Sequence, residues 1–462
     1  MIAISFHGAA QIVTGSKYLV QAGKESILVD CGMLQGRKEL RLRNWDAPPF
    51  DPAKIRAVVL THAHIDHTAY LPRLYRQGFR GDVFCSAPTR RLAQILLMDA
   101  AELQEEDARY LNKTGATKHK PALPLFTSED AKAVLKHFRK VPFHEETKIS
   151  RHFAFTIRPV AHILGAGSIL LQATDGGTSK YLYFGGDIGR YNQPLLPDPD
   201  PPAACDYLIL ESTYGDRLHE HEDYREFIAD MVDQIVADRG IILIPAFAVG
   251  RTQMLVYILS RLQEAQRIPR IPIHVDSPMA IDATDIFCDF PDLHRLEVQR
   301  LETGNHCALH GGTVSYHRSR AESMKINDMK GPRVIISASG MLSGGRVLHH
   351  LYQRMGDPRN IIALAGYQAE GTRGRDLVDG KHTLRFHGRD HEIKAQIANI
   401  GGLSGHADYR EIMRWLEPLK GPLEKVFITH GEPDPAAAMA ERVASERGFP
   451  TVIPELDERF EL

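Results

Sequence analysis

An α/β fold is predicted by three observations. Past residue 222 the chain alternates helix and strand patterns, the signature of a parallel sheet with crossover helices. Short apolar runs such as Ser26–Asp30 and Ala57–Leu60 end at polar groups, as buried strands do when chemistry sits at their carboxyl ends. The 462 residues exceed one simple core, so two domains, or one domain interrupted by another, are expected.

The elements follow in order. Met1–Phe6 reads as a strand, and 26–30 and 57–60 as two more. Leu71, Leu74 and Tyr75 suggest a helix after residue 66, and 89–112 reads as a long helix rich in Leu, Ala and Glu. Residues 113–126 form a basic, proline-containing loop. Ser128 is the expected N-cap of the next helix, with Glu129 and Asp130 in its first turn. Strands return at 153–160, 168–173 and 181–184. The stretch 193–202, with five prolines, reads as a loop, and Tyr207–Glu211 as a strand ending in an acid. The alternating series comprises helices 222–238, 251–265, 278–289 and 345–355 and strands 241–245, 271–275, 333–337 and 360–365. After 381 come strands, a helix at about 408–419 and a strand at 425–430.

Composition narrows the function. The net charge of −2 excludes a bulk basic footprint, so any phosphate-binding surface must be local. The five cysteines are scattered, with no CxxC pair and no disulfide framework, which fits a reducing cytoplasm. No secretory signal and no apolar stretch of membrane-spanning length is read.

Thr61-His62-Ala63-His64-Ile65-Asp66-His67 places three imidazoles and one carboxylate within six positions. So dense a set of nitrogen and oxygen ligands points to divalent metal. In an extended stretch His62 and His64 point the same way, while Asp66 and His67 start a new direction. One pair can therefore serve one ion and the next pair a second. His162, in Ala-His-Ile-Leu-Gly, Asp187, after Gly185-Gly186, and His430, before Gly431, are further ligand candidates just past strands, with glycines near enough to let the backbone turn tightly. A lone histidine before glycine is more often structural, but repeated placement at strand ends favours a shared site.

These residues carry a resemblance. Asp30, His62-x-His64-x-Asp66-His67, His162, Asp187 and a late histidine resemble the metallo-β-lactamase signature. Glu211 in Glu-Ser-Thr-Tyr-Gly, His406 in Leu-Ser-Gly-His-Ala-Asp and His430 in Thr-His-Gly-Glu resemble the β-CASP nuclease branch. So do Pro245–Arg251, Asp276–Ala280 and Ser339-Gly340-Met341. The resemblance covers nearly all of the chain and its ordered set of motifs is highly specific. It implies an αββα metallo-β-lactamase sandwich in two parts, 1–205 and 392–462, with an inserted β-CASP domain at 206–391.

Carried over by position, the resemblance implies that His62, His64 and His162 hold one zinc and Asp66, His67 and His430 a second, with Asp187 bridging. Manganese can also occupy mixed His/carboxylate sites. It further implies a hydroxide shared by two ions, His406 as the acid that protonates the leaving oxygen, Glu211 as its orienting partner, and Asp30 as the group that fixes a ligand histidine. The inserted domain of that branch clamps nucleic acid. The glycine-rich turn with Ser339, Gly340 and Arg346, and Arg373 in Gly-Thr-Arg-Gly-Arg, are the candidate RNA contacts. The run Arg37, Lys38, Arg41, Arg43 reads first as a solvated face.

The expectation is a zinc-dependent ribonuclease for single-stranded RNA in the cytoplasm, leaving 5′-phosphate and 3′-hydroxyl ends, with no membrane partner; a homodimer is compatible with it. Because only about thirty residues follow His430 and no N-terminal KH region is read, a compact endonuclease is favoured over a 5′ exoribonuclease. A DNA nuclease of the superfamily is disfavoured by His430, where the DNA-acting branch carries an apolar residue. A thioester or lactam hydrolase would leave Glu211 and His406 unexplained. A silent RNA-binding scaffold would have lost ligands that this chain keeps.

Overall fold

The computed structural model describes residues 1–219, 223–296, 298–301, 304–366, 368, 371–386 and 389–462, with the backbone alone at 298–301 and 304–306. Two units divide the chain, Met1–Leu218 with His406–Leu462, and His219–Gly405.

The first unit holds two seven-stranded sheets. One orders Arg459–Glu461, Ile2–Phe6, Tyr18–Ala22, Glu25–Val29, Ile55–Val59, Asp82–Cys85 and Phe138–Lys140. The other orders Thr451–Val452, Lys425–Thr429, Tyr207–Glu211, Thr178–Phe184, Gly167–Asp175, Phe153–Pro159 and Thr147–Lys148. Their facing residues form one core: Ile4, Phe6, Val20, Ile27 and Val59 from the first sheet meet Phe155, Leu171, Phe184, Ile209 and Phe427 from the second. Residues of opposite parity, such as Leu28, Val58, Leu208 and Ile428, are buried too. Strands covered on both faces read as continuous apolar runs, which is why alternation was absent from the sequence.

The second unit carries a six-stranded sheet, Val314–Tyr316, Ile273–Val275, Arg333–Ser337, Ile241–Pro245, Ile361–Leu364 and Gln396–Asn399, with every pairing parallel. Helices Arg251–Glu264, Pro278–Cys288, Arg320–Asp328, Arg346–Arg354 and Arg373–Val378 lie between successive strands of this sheet, and Tyr224–Asp238 leads into its first strand. This is the parallel sheet expected from the βα alternation; residue 222, the expected start of its first helix, lies outside the described residues.

The boundaries differ from those read at 206 and 391. Tyr207–Glu211 pairs in parallel with Thr178–Phe184 and with Lys425–Thr429, so it belongs to the sandwich. Gln396–Asn399 pairs with Ile361–Leu364 and belongs to the inserted unit. Two smaller readings are also corrected. Thr127, not Ser128, caps helix Ser128–Leu135, because Asp130 donates its N–H to Thr127 Oγ1 at 3.2 Å and returns a carboxylate to the Thr127 N–H at 2.9 Å. Cys288 and Cys307, the last residues of a helix and of a strand in the inserted unit, are joined by a disulfide, while Cys31, Cys85 and Cys205 are free. No helix among the described residues is long and apolar enough to cross a membrane.

Close backbone crossings hold the carboxyl ends of the sandwich strands together. The loop after Glu25–Val29 runs under the turn at Asp66–His67: Cys31 N donates to His67 O at 2.8 Å and Ser16 N to Asp66 O at 2.9 Å. A Cβ on Gly32 would lie 1.6 Å from Asp66 O, so no other residue fits without moving that turn. Gly32→Ala is therefore expected to destabilise the sandwich by about 1–3 kcal/mol or more. The exposed Gly356, whose added Cβ meets nothing within 4 Å, is the control. Thermal unfolding of the two variants checks this; equal melting temperatures would contradict it.

Candidate metal centre

The site residues follow strand ends. Asp30 comes after Glu25–Val29, His62 after Ile55–Val59, His162 after Phe153–Pro159, Asp187 after Thr178–Phe184 and His430 after Lys425–Thr429; Glu211 is the last residue of its strand. Helix Ile65–Thr68 starts within the histidine cluster, so the chain turns between His64 and Asp66. Backbones bend sharply here: Asp30, Ala161 and His430 have φ of 58°, 62° and 48°. Non-glycine residues in this region cost of order 1–3 kcal/mol and persist only where surrounding bonds impose them. His430 N donates to Ala9 O at 2.7 Å, and Asp30 N to Val59 O at 2.9 Å.

Two ligand groups result. In the first, His62 Nε2 lies 3.1 Å from His64 Nδ1, and His162 Nε2 lies 3.2 Å from the same atom. Asp187 Oδ2 lies 3.4 Å from His62 Nε2 and 3.5 Å from His162 Nε2. In the second, His67 Nε2 is 3.3 Å from His430 Nε2 and 3.2 Å from Asp187 Oδ1, while Asp66 Oδ2 is 3.5 Å from His430 Nε2 and 4.0 Å from His67 Nε2. Zinc bonded to nitrogen at about 2.0–2.1 Å holds the corners of its tetrahedron about 3.3–3.4 Å apart. The first group and three of the four separations in the second lie near that edge; Asp66 to His67, at 4.0 Å, is longer. Pairwise hydrogen bonds could explain one such contact, but four donor atoms mutually within 4.8 Å could together hold one cation. Asp187 Oδ1 is buried and accepts no hydrogen bond among the described residues, so a cation would also satisfy it. The donor set fits divalent metal.

The outward-facing nitrogens are held as well. His67 Nδ1 is 2.8 Å from Asp30 Oδ2, and Asp30 also accepts the Thr61 N–H and hydroxyl, each at 2.8 Å. His62 Nδ1 is 3.0 Å from Thr61 Oγ1, and His430 Nδ1 is 3.1 Å from Thr213 Oγ1. Such partners fix ring orientation and tautomer. Asp30 thus contacts His67 while standing apart from both groups.

Burial and neighbouring charges set the protonation of these groups. Burial, then the nearby His67 charge, keeps His62 neutral, and burial lowers His64 to about 4. Burial also opposes charge on His67, but Asp187 and Asp30 overcome it and hold the ring protonated. Burial would raise Asp66 and Asp187, but the imidazoles around them hold both carboxyls low.

His406 and Glu211 lie beside these groups. His406 Nδ1 is 3.0 Å from Glu211 Oε2 and 3.2 Å from Oε1, and Glu211 Oε1 accepts the Ile188 N–H at 2.6 Å. The other ring nitrogen, His406 Nε2, faces Asp187 Oδ2 at 4.0 Å. Burial pulls His406 down, but Glu211 and then Asp187 outweigh it and raise its pKa to about 9.

The remaining candidates lie in the inserted unit. Arg346 donates to Asp276 Oδ1 at 2.7 Å and to the carbonyls of His317 and Arg318 at 2.9 and 2.7 Å, so its guanidinium holds that unit together. Arg373 donates to Leu342 O at 3.3 Å and lies over the Phe386 ring. Ser339 Oγ accepts from Ser343 N at 3.0 Å, and Gly340 O from Gln368 Nε2 at 3.1 Å. Thr61 and Thr213 were missed as site residues; each stands inside a quoted motif, but a hydroxyl's partner cannot be read from spacing.

Three family descriptions match the chain. Residues 13–83 match the metallo-beta-lactamase superfamily, 252–377 the Beta-Casp domain, and 390–454 the Zn-dependent metallo-hydrolase RNA specificity domain. Ribonuclease TTHA0252 of Thermus thermophilus is 34% identical over 443 residues, covering 95% of this chain and 95% of that protein. Transcription termination factor FttA of Methanocaldococcus jannaschii is 32% identical, covering 96% and 69%. An RNase J-like protein of the same organism is 29% identical, covering 98% of each. A solved protein of unknown function from Enterococcus faecalis shares the fold across the whole of both chains, with a TM-score of 0.54 at 13% identity. The chain belongs to the metallo-β-lactamase superfamily of metal-dependent hydrolases, in the β-CASP branch that includes ribonuclease TTHA0252.

Proposed function

We propose that this hydrolase is a zinc-dependent endoribonuclease that cleaves single-stranded RNA in the cytoplasm, leaving a 5′-phosphate and a 3′-hydroxyl. The observation that carries the reading is the His406–Glu211 pair beside two adjoining ligand groups. His62, His64 and His162 would hold one ion, Asp66, His67 and His430 the other, with Asp187 facing both. When bound, the ions supply a nucleophilic water at neutral pH and neutralise charge building on a phosphodiester oxygen.

The protein's own residues do the rest. Glu211 accepts the His406 Nδ1 proton and favours the imidazolium, so Nε2–H is available to the departing 3′ oxygen. Protonation there lets an alkoxide leave as an alcohol. Asp187 and Asp66 bring the charge that draws cations, and Asp30 keeps the His67 ring turned toward them. RNA contact is proposed for Ser339, Gly340 and Arg373 of the inserted unit, with Arg346 supporting the turn rather than meeting phosphate. Binding through few local cations implies only a modest loss of affinity with salt.

Three outcomes follow. Asp187→Ala should reduce metal at both positions and His64→Ala chiefly at one, with RNA cleavage abolished in each; elemental analysis and a cleavage assay decide, and full zinc content in both variants would contradict the assignment. His406→Ala should keep its metal yet lose about 10²–10⁴-fold in kcat on RNA. It should lose far less on a nitrophenyl phosphodiester, whose leaving group needs no proton. A general acid must be protonated, so the alkaline fall in kcat should vanish in the variant; equal losses on both substrates would remove His406 from that role. Finally, a circular single-stranded RNA should be cut. Cleavage of linear but not circular RNA would make the enzyme a 5′ exonuclease instead.

A further inference from the structure

We propose that Thr213 is a positioning residue that sets the tautomer of His430 and ties the second ligand group to the His406–Glu211 pair. The catalytic consequence rests on the hydrolase reading above; the geometry does not.

Thr213 is buried in the turn that follows strand Tyr207–Glu211. Its Oγ1 lies 2.6 Å from Glu211 Oε2, 3.1 Å from His430 Nδ1 and 3.1 Å from His430 O. A hydroxyl has one proton to give and two lone pairs to offer. The contact to Glu211 has the short length of a hydroxyl donating to a carboxylate. The proton therefore goes to Glu211, and His430 O is left to the Ser212 N–H at 3.3 Å. Thr213 Oγ1 then faces His430 Nδ1 with a lone pair, which requires hydrogen on Nδ1. The His430 lone pair is thereby placed on Nε2, the atom facing His67 Nε2, Asp66 Oδ2 and Asp187 Oδ1 at 3.3, 3.5 and 3.7 Å. A metal-binding imidazole needs this arrangement, since the hydrogen bond at one nitrogen decides which nitrogen binds.

The neighbouring residue holds the backbone on both sides of His430. Ser212 Oγ donates to Thr429 O at 2.9 Å and Ser212 N to His430 O at 3.3 Å, which grips His430 at its φ of 48°. The bonds run unbroken from His430 through Thr213 and Glu211 to His406. Orienting a ligand and orienting the proton donor thus share one hydroxyl.

The test compares Thr213→Val, which keeps the shape and removes the hydroxyl, with Thr213→Ser, which keeps the hydroxyl. Zinc is titrated into the metal-stripped full chain against a chromophoric chelator. One of two zinc positions should weaken by roughly 10–100-fold in the Val variant, with the other unchanged and the Ser variant close to wild type. Histidine side-chain nitrogen NMR of the zinc-free protein should show His430 carrying its proton on Nδ1 in wild type and Ser but in a mixture in Val. A melting curve for each variant separates these effects from misfolding. In RNA cleavage the Val variant should lose kcat with little change in KM. Wild-type zinc affinity at both positions and an unchanged His430 tautomer in the Val variant would overturn the proposal. Neither readout involves RNA, so a failure of the ribonuclease reading would appear separately, as a wild-type protein that binds zinc and cuts no RNA.

Discussion

One buried carboxylate organises the first unit. Asp187 turns Oδ2 toward His62 and His162 and Oδ1 toward His67 and His430, so both ligand groups share it. Its partners come from both sheets. His62, His64, Asp66 and His67 follow a strand of one, and His162, Asp187 and His430 follow strands of the other. Ligand spacing near a tetrahedral edge therefore requires the two sheets to meet at fixed separation, and the core of Phe6, Val59, Phe184 and Phe427 sets that separation. Packing in the interior is thus part of the chemistry at the edge.

The crowding there has a cost in backbone conformation. Asp30, Ala161 and His430 occupy the left-handed region, where side chains are disfavoured. Each is imposed by neighbouring chain. Gly189 N donates to Val160 O at 2.8 Å, and a Cβ on Gly189 would lie 2.2 Å from the Ala161 carbonyl, so that segment approaches the bend before His162 as closely as glycine allows. Strain concentrated at three strand ends fits a site that must hold many like groups at short distance.

The sequence made much of this legible, for identifiable reasons. His62 to His67 announced metal because the ligands are adjacent in the chain. His162, Asp187 and His430 could be placed because each follows an apolar run and a strand end is where such a fold gathers its chemistry. The boundary of the inserted unit was misplaced because Tyr207–Glu211 has the same apolar texture as strands of either unit; only its pairing with Lys425–Thr429, more than two hundred residues on, decides. The Cys288–Cys307 pair and the hydroxyls of Thr61 and Thr213 were invisible for a related cause. Their partners are set by three-dimensional direction, and spacing carries none of it.

Whether His406 is a third kind of ligand or a proton donor is a question of charge and distance together. It lies close enough to Asp187 and His430 to share a cation with them. A ligand imidazole must be neutral at the binding nitrogen, and His62 and His64 meet that condition through burial. His406 is buried as well, yet Glu211 at 3.0 Å on one side and Asp187 on the other favour the imidazolium. Two aspartates favour the imidazolium of His67 as well, but its Nε2 stands 3.2 Å from Asp187 and 3.3 Å from His430, whereas His406 Nε2 stands 4.0 Å from Asp187. A ring held protonated and set back from the ligand groups is poorly suited to bind metal and well suited to give a proton away. A thiolate would leave without that proton, whereas a ribose alkoxide would not, so the proposed phosphodiester cleavage has a use for this pair that thioester hydrolysis lacks.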